Sequence, residues 1–273
     1  PGASRHPLRR FWRWWYPRQV RRLCANAAAV SYVTAEALQK RYPARANSYS
    51  THYSSIELRD EALVAAPKTI RAPVRNLLAV GTMDQLYKGQ VFLLRALADA
   101  VKRNPDLKLT VVGDGRHRAM LERLARELGV ATRVDFLGQI ASGAPVREQM
   151  DRADLFVLPS LQEGLPRALI EAMARAMPCV ATTVGGMPEL LPPEDRVPAG
   201  DADALAQKIC EVAGDLSRLG RMSARNLDKA RGYHWEILQE RRRQFYRHLE
   251  KVTREWAAAG RKRSMDHRRP SKG

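Results

Sequence analysis

Cysteine is scarce in this chain. Cys24, Cys179 and Cys210 are three in 273 residues and stand far apart. Such spacing excludes a disulfide framework or a cysteine-ligated zinc, so reduced thiols in a cytoplasmic protein are the expectation. The six His are not clustered, and no His/Asp/Glu spacing suggests a metal. No apolar run reaches the roughly 18 residues that a membrane-spanning helix needs. No secretory signal is legible, and the chain begins at Pro1. Acidic residues are outnumbered, with 29 Asp and Glu against 47 Lys and Arg, for a formal charge of +18. A field of that sign attracts nucleic acid, an anionic membrane surface or phosphorylated small molecules without choosing among them. Much of the excess sits at the ends, in 5–22 and 241–272. The stretch 260–273 is almost without apolar residues and is expected to be a disordered basic tail.

What is present suffices for a core, since 45% of residues are hydrophobic. From Val74 to Val184 apolar runs alternate with amphipathic stretches, the pattern of a parallel sheet covered by helices on both faces. The pattern predicts strands at 76–80, 107–112, 134–137, 154–158 and 179–182. Helices are expected at 90–102, 116–128, 145–153 and 167–176. Strand–helix elements are less distinct from 189 to 212, and one or two long polar helices run from about 216 to 256. Before Arg71 the character changes. A short strand at 25–30 and a helix at 31–38 look like parts of another sheet.

The most informative segment runs from Glu163 to Glu171. It follows the apolar run Asp154–Ser160 and becomes a helix whose first position is expected at Pro166. Glu163 would then lie in a loop at the carboxyl end of a strand, where open α/β sheets bind ligands. Glu171 falls about a turn and a half into the helix at roughly 3.6 residues per turn. Between them the helix start offers unpaired N–H groups and the positive end of a dipole, a seat for phosphate. One carboxylate for a sugar, one for a ribose and a helix end for the phosphate between them suggest a nucleotide-sugar site.

Other motifs stand at strand ends. Gly81 follows the first predicted strand, with Lys88-Gly89 before the next helix. Val112-Gly113-Asp114-Gly115 ends the second strand, lacks the third Gly of a dinucleotide fingerprint and reads as a pocket wall. Phe136-Leu137-Gly138 ends the third strand, and Gly185-Gly186-Met187-Pro188-Glu189 follows the fifth. This ordered set, with the Glu163–Glu171 block, resembles glycosyltransferase family 4, the retaining sugar-nucleotide transferases of the GT-B fold. The likeness spans roughly residues 74–245.

The resemblance implies an α/β chain of GT-B type: one complete Rossmann-like parallel-sheet donor domain and the remnant of a second Rossmann-like domain. Residues 1–59 would be that remnant, with most of the amino-terminal acceptor domain missing. Residues 60–73 would be a linker, 74–232 the nucleotide-sugar domain and 233–259 a crossing helix. Catalytic roles would fall to Glu163, gripping sugar hydroxyls, and Lys88, stabilising the leaving diphosphate. Donor contacts would come from Gly81, Thr82, Lys88, Gly113, Gly115, Leu137, Gly138, Glu163, Gly164, Leu165, Pro166, Arg167 and Glu171. Thr82 stands where the family has an Arg, and it cannot supply a bidentate phosphate fork. The implied donor is a nucleoside-diphosphate sugar, with no metal or other cofactor, and the acceptor a saccharide or lipid-linked hydroxyl.

The segment 9–16 interleaves Phe11, Trp12, Trp14, Trp15 and Tyr16 with arginines. It could meet an anionic membrane, stack on nucleic-acid bases or pack on absent protein. A nucleic-acid-binding module is the rival that the charge alone would favour, but it leaves the Glu163–Glu171 block unexplained. A non-catalytic nucleotide-sugar binder is the other alternative.

Overall fold

A computed structural model describes residues 8–266 as two compact units. The smaller comprises residues 8–53 and the chain from 236 onward. It opens with helix α1 (Arg9–Asn26), then β1 (Ala29–Tyr32), α2 (Ala37–Arg41) and β2 (Tyr49–His52). The strand expected at 25–30 and the helix at 31–38 are therefore displaced. The aromatic–arginine segment is itself helical, Pro17 included, and only after Ala27 turns extended does β1 begin. β1 pairs in parallel with β2, Ala29 opposite Tyr49.

The larger unit, 54–235, carries the remaining strands and most helices. In order these are β3 (Asn76–Val80), α3 (Gln90–Ala100), β4 (Lys108–Val112), α4 (Arg118–Glu127), β5 (Val134–Gly138), α5 (Ala144–Arg152), β6 (Leu155–Leu158), α6 (Arg167–Ala174), β7 (Cys179–Thr182), α7 (Met187–Leu190), β8 (Arg196–Val197), α8 (Ala202–Ala213) and α9 (Leu216–Arg231). The chain ends its described part with α10 (Trp235–Asp266). That helix continues into the stretch expected to be a disordered tail; residues 267–273 lie outside the described part.

All strand pairs of the large sheet are parallel, in the order β5-β4-β3-β6-β7-β8. β6 and β7 are buried at every residue, which is why β6 reads as an unbroken apolar run and β7 as one that ends on Thr182. On one face α3 packs against α8, and Leu93, Leu97, Ile209 and Val212 bury on Leu77, Leu109 and Leu155. On the other, α6 packs against α9.

Asp195, fully buried before β8, receives Arg218 and Arg225 from α9. The stretch 60–73 lies along the large unit. Val64 N–H donates to the Ala174 carbonyl at 3.0 Å, and Lys68 Nζ donates to the carbonyls of Met150, Asp151 and Ala153 at the end of α5. Burial lowers the pKa of that lysine, against the pull of Asp151. Among the described residues, no helix is long and apolar enough to cross a membrane.

Candidate active site

The strand order reverses direction between β3 and β6. From β3 the chain winds outward through β4 to β5, then returns to the other side of β3 and winds through β7 to β8. Neighbouring connections therefore diverge at the carboxyl ends of β3 and β6 and leave a crevice, the position at which sheets of this kind bind ligands. Gly81, Gly113, Gly138, Glu163 and Gly185 all follow or end their strands on this edge.

Close backbone approach joins the loops around the crevice. Gly89 sits at φ +80°, and a Cβ there would collide with the carbonyl of Pro159. The backbone N–H of Leu161 donates to the Tyr87 carbonyl at 2.7 Å. On the other flank the Gly186 N–H donates to the Gly164 carbonyl, also at 2.7 Å. The loops after β3, β6 and β7 are thus laced together by main-chain contacts.

Within that frame the two side chains expected to carry the chemistry meet. Lys88 Nζ lies 2.7 Å from Glu163 Oε1, with only 23% and 10% of the two side chains exposed. The same oxygen accepts a hydrogen bond from Ser160 Oγ at 2.8 Å. Ser160 is fully buried at the end of β6, and its carbonyl accepts from the hydroxyl of Thr182 on β7. Ser160 and Thr182 form a support that sequence reading did not single out. A polar pair within otherwise apolar strand ends was the available signal.

Gly164, Leu165 and Pro166 connect Glu163 to α6. Pro166 is the residue before the helix, at φ −75° and ψ 113°, and Arg167 takes the first helical position. The shift is one residue from expectation, since Pro166 keeps extended geometry while its carbonyl accepts from Ile170 N–H at 3.4 Å. The first turn of α6 therefore presents its N–H groups on the crevice edge. Glu171 is half-buried on this helix. Burial raises its pKa, opposed by the positive charges of Arg167 and of Arg147 on α5. The sequence did not mark Arg147 as its neighbour.

At Thr82, where an Arg was expected from the resemblance, the hydroxyl is engaged within its own loop. It lies 3.2 Å from Asp84 Oδ2 and 3.3 Å from the Asp114 carbonyl. Cations enter instead from the connection after β4. Arg116 donates through Nε to the Asp84 carbonyl at 3.0 Å. Its backbone N–H donates to Asp84 Oδ1 and holds that carboxyl below its ordinary pKa. Arg118 reaches Asp114, Glu122 and the carbonyl of Phe136, so it braces the strand end that carries Leu137 and Gly138. Gly115 packs against Met83 and Asp84 of the first loop.

A groove of about 920 Å³ on the large unit runs elsewhere, along α3 between α4 and the start of α8. Its Arg95, Lys102, Asp99 and Glu127 mix both signs without converging on a point, whereas the crevice gathers fixed donors and acceptors. No group of three or more His, Cys, Asp or Glu among the described residues could hold a metal ion.

Comparison with known proteins gives the family and the fold. Residues 74–215, more than half of the chain, match the family described as Glycosyl transferases group 1, and the chain belongs to that family. It is 32% identical over 164 residues to a GDP-mannose-dependent monoacylated alpha-(1-6)-phosphatidylinositol monomannoside mannosyltransferase of Corynebacterium glutamicum, covering 56% of this chain and 42% of the relative. It is 34% identical over 161 residues to the GDP-mannose-dependent alpha-(1-6)-phosphatidylinositol monomannoside mannosyltransferase of Mycolicibacterium smegmatis, covering 55% and 40%. The chain thus spans about two fifths of the length of these curated relatives.

Among solved structures, sucrose-phosphate synthase of Thermosynechococcus elongatus superposes with a TM-score of 0.73 at 25% identity, over 92% of this chain and 64% of that one. Anabaena HepE in complex with UDP-glucose gives 0.69 at 21% identity, over 84% and 66%. The fold is α/β of the GT-B type.

Proposed function

We propose that this chain supplies the donor site of a retaining glycosyltransferase, moving a sugar from a nucleoside diphosphate to an acceptor hydroxyl. The observation that carries the reading is the Lys88–Glu163 pair at the switch point between β3 and β6. In this reading Glu163 accepts hydrogen bonds from the donor sugar and Glu171 from the ribose. Lys88 and the backbone of residues 164–167 take the diphosphate.

Charge builds on the leaving diphosphate as the anomeric bond breaks, and a fixed ammonium beside a helix start favours that state over the ground state. No side chain in the crevice is placed as an evident nucleophile. Retention would then follow from attack on the face that the leaving phosphate vacates, with that phosphate taking the acceptor proton. Two relatives dependent on GDP-mannose and a neighbour crystallised with UDP-glucose support a nucleotide-sugar donor, while leaving the base and sugar open.

The acceptor would be a saccharide or glycolipid of the cell surface, as the phosphatidylinositol mannosides named for the relatives suggest. Arginine-rich α1, with Phe11, Trp14 and Tyr16 exposed, would suit a peripheral place on an anionic membrane. Residues 1–59 are read as only part of an acceptor domain, so the chain alone is expected to bind donor and transfer little sugar.

Titrating UDP, GDP and ADP, and then their sugars, into the chain by calorimetry tests the donor site. Micromolar binding of one nucleotide is expected, tighter with its sugar attached. A chain that ignores all three at millimolar concentration but binds a random DNA duplex, steeply weakened by salt, would instead be the nucleic-acid module.

A further inference from the structure

The contacts of Glu163 are unevenly divided between its two oxygens. Lys88 Nζ, at 2.7 Å, and Ser160 Oγ, at 2.8 Å, both approach Oε1. Oε2 has no protein partner among the described residues. No buried side-chain oxygen or nitrogen among them lacks a partner, so Oε2 is reached by solvent although the side chain is only 10% exposed. The carboxylate is therefore held by one oxygen and offered by the other.

Its two holders differ in kind. Lys88 is a flexible cation, and a diphosphate bound at the same edge would draw it away. Ser160 is fully buried at the end of β6, and the Thr182 hydroxyl on β7 bonds its carbonyl. Its backbone is pinned to β7 and its hydroxyl is closed off from water. Ser160 is thus the donor that stays when the site is loaded.

We infer that Ser160 is a positioning residue that keeps Glu163 aimed at the donor sugar once the diphosphate has claimed Lys88. The inference rests on the reading of Glu163 as the group that grips the sugar. It adds that the grip depends on a buried hydroxyl three residues earlier in the chain. Ser160 touches no ligand itself. It acts by fixing one rotamer of the carboxylate, and a charge-assisted hydrogen bond of this kind is worth roughly a ten-fold change in affinity.

The test uses the whole chain and the nucleotide that binds it, alone and with its sugar, in wild type, Ser160→Ala, Ser160→Thr, Glu163→Gln and the double variant Ser160→Ala/Glu163→Gln. Thermal melts come first, and if the alanine variant melts early, Ser160→Cys, close to serine in size but a much weaker donor, takes its place in the comparison. Ser160→Ala should leave nucleotide affinity unchanged and weaken the nucleotide sugar about ten-fold, and Ser160→Thr should restore most of it. The double variant should be no weaker than Glu163→Gln, because without the carboxylate there is nothing left to position.

Additive losses in the double variant would overturn the inference while leaving Glu163 in its role. So would loss of nucleotide and nucleotide sugar alike in Ser160→Ala, or a threonine variant as weak as the alanine one. If Glu163→Gln itself spares the gain in affinity that the sugar brings, the sugar-gripping role falls, and the inference with it.

Discussion

Gly185, at φ +55°, presses so closely on the backbone of Glu163 that a Cβ would overlap the Glu163 carbonyl. The loop after β7 thereby serves as a stop for the loop that carries Glu163, the carboxylate proposed to hold the sugar. Gly185→Ala would place an L side chain in left-handed backbone, at about 1–2 kcal/mol, before any clash is counted. The clash is with main chain, so the Glu163 loop must move. The variant should melt several degrees lower and lose donor affinity, measured by calorimetry, even though Gly185 is assigned no ligand contact. Unchanged binding would show that the loop shifts without moving the carboxylate.

The two glutamates should separate by ligand. Glu171→Gln is expected to weaken nucleotide and nucleotide sugar by similar factors, since ribose is common to both. Glu163→Gln should weaken only the sugar-bearing ligand. Each loss is expected at about 1.5–3 kcal/mol, the usual worth of a hydrogen bond to a charged group. Parallel titrations of both ligands into both variants check this, and equal losses everywhere would refute the division.

Burial of Glu171 has a consequence for pH. Its folded pKa is raised above the value of 4.5 for an exposed glutamate, so the folded chain holds its proton more tightly than the unfolded chain. Stability from this group is then greatest below the unfolded pKa. It falls as pH rises toward the raised folded pKa and stays low above it. Glu171→Gln should therefore stabilise the ligand-free chain at neutral pH, and the gain should vanish below the unfolded pKa, as followed by chemical denaturation at several pH values. Nucleotide affinity of the wild type should move oppositely, weakening as acid neutralises the carboxylate proposed to accept from the ribose.

Asp195 offers a prediction of stability alone. It is fully buried, with Arg218 Nη2 at 3.0 Å from one carboxylate oxygen and Arg225 on the other. Asp195→Asn leaves two guanidinium groups facing a neutral amide in a place with little water. Breaking a buried ion pair of this kind costs about 3–5 kcal/mol. Urea denaturation should show that loss, and nucleotide affinity measured below the melting transition should be unaffected.

Several elements were legible because a short stretch of chain determines them. β6 is an unbroken apolar run and β7 is apolar up to Thr182, because a strand buried on both faces has no solvent side on which polar residues could alternate. α6 was legible from Pro166 and the apolar spacing of Leu169, Ile170 and Met173, with an error of one residue at its start. α1 was not, because aromatic and arginine side chains occur all round it and no helical period stands out. β2, with Tyr49, Ser50, Thr51 and His52, and β8, with two residues, are too short or too polar to signal themselves.

Within the crevice, the sequence pattern marked Glu163 and Glu171 as carboxylates suited to a sugar and a ribose, and the family resemblance added Lys88 for the diphosphate. Neither could bring Lys88 within 2.7 Å of Glu163, because they are 75 residues apart and meet only through strand order. That order is decided by how helices cover both faces of the sheet, a matter of long-range packing that no local pattern records. Burial was likewise decided by the tertiary structure. Ser160 and Thr182 look like ordinary polar residues at strand ends until neighbouring strands exclude water, after which their hydroxyls must bond what the fold places beside them.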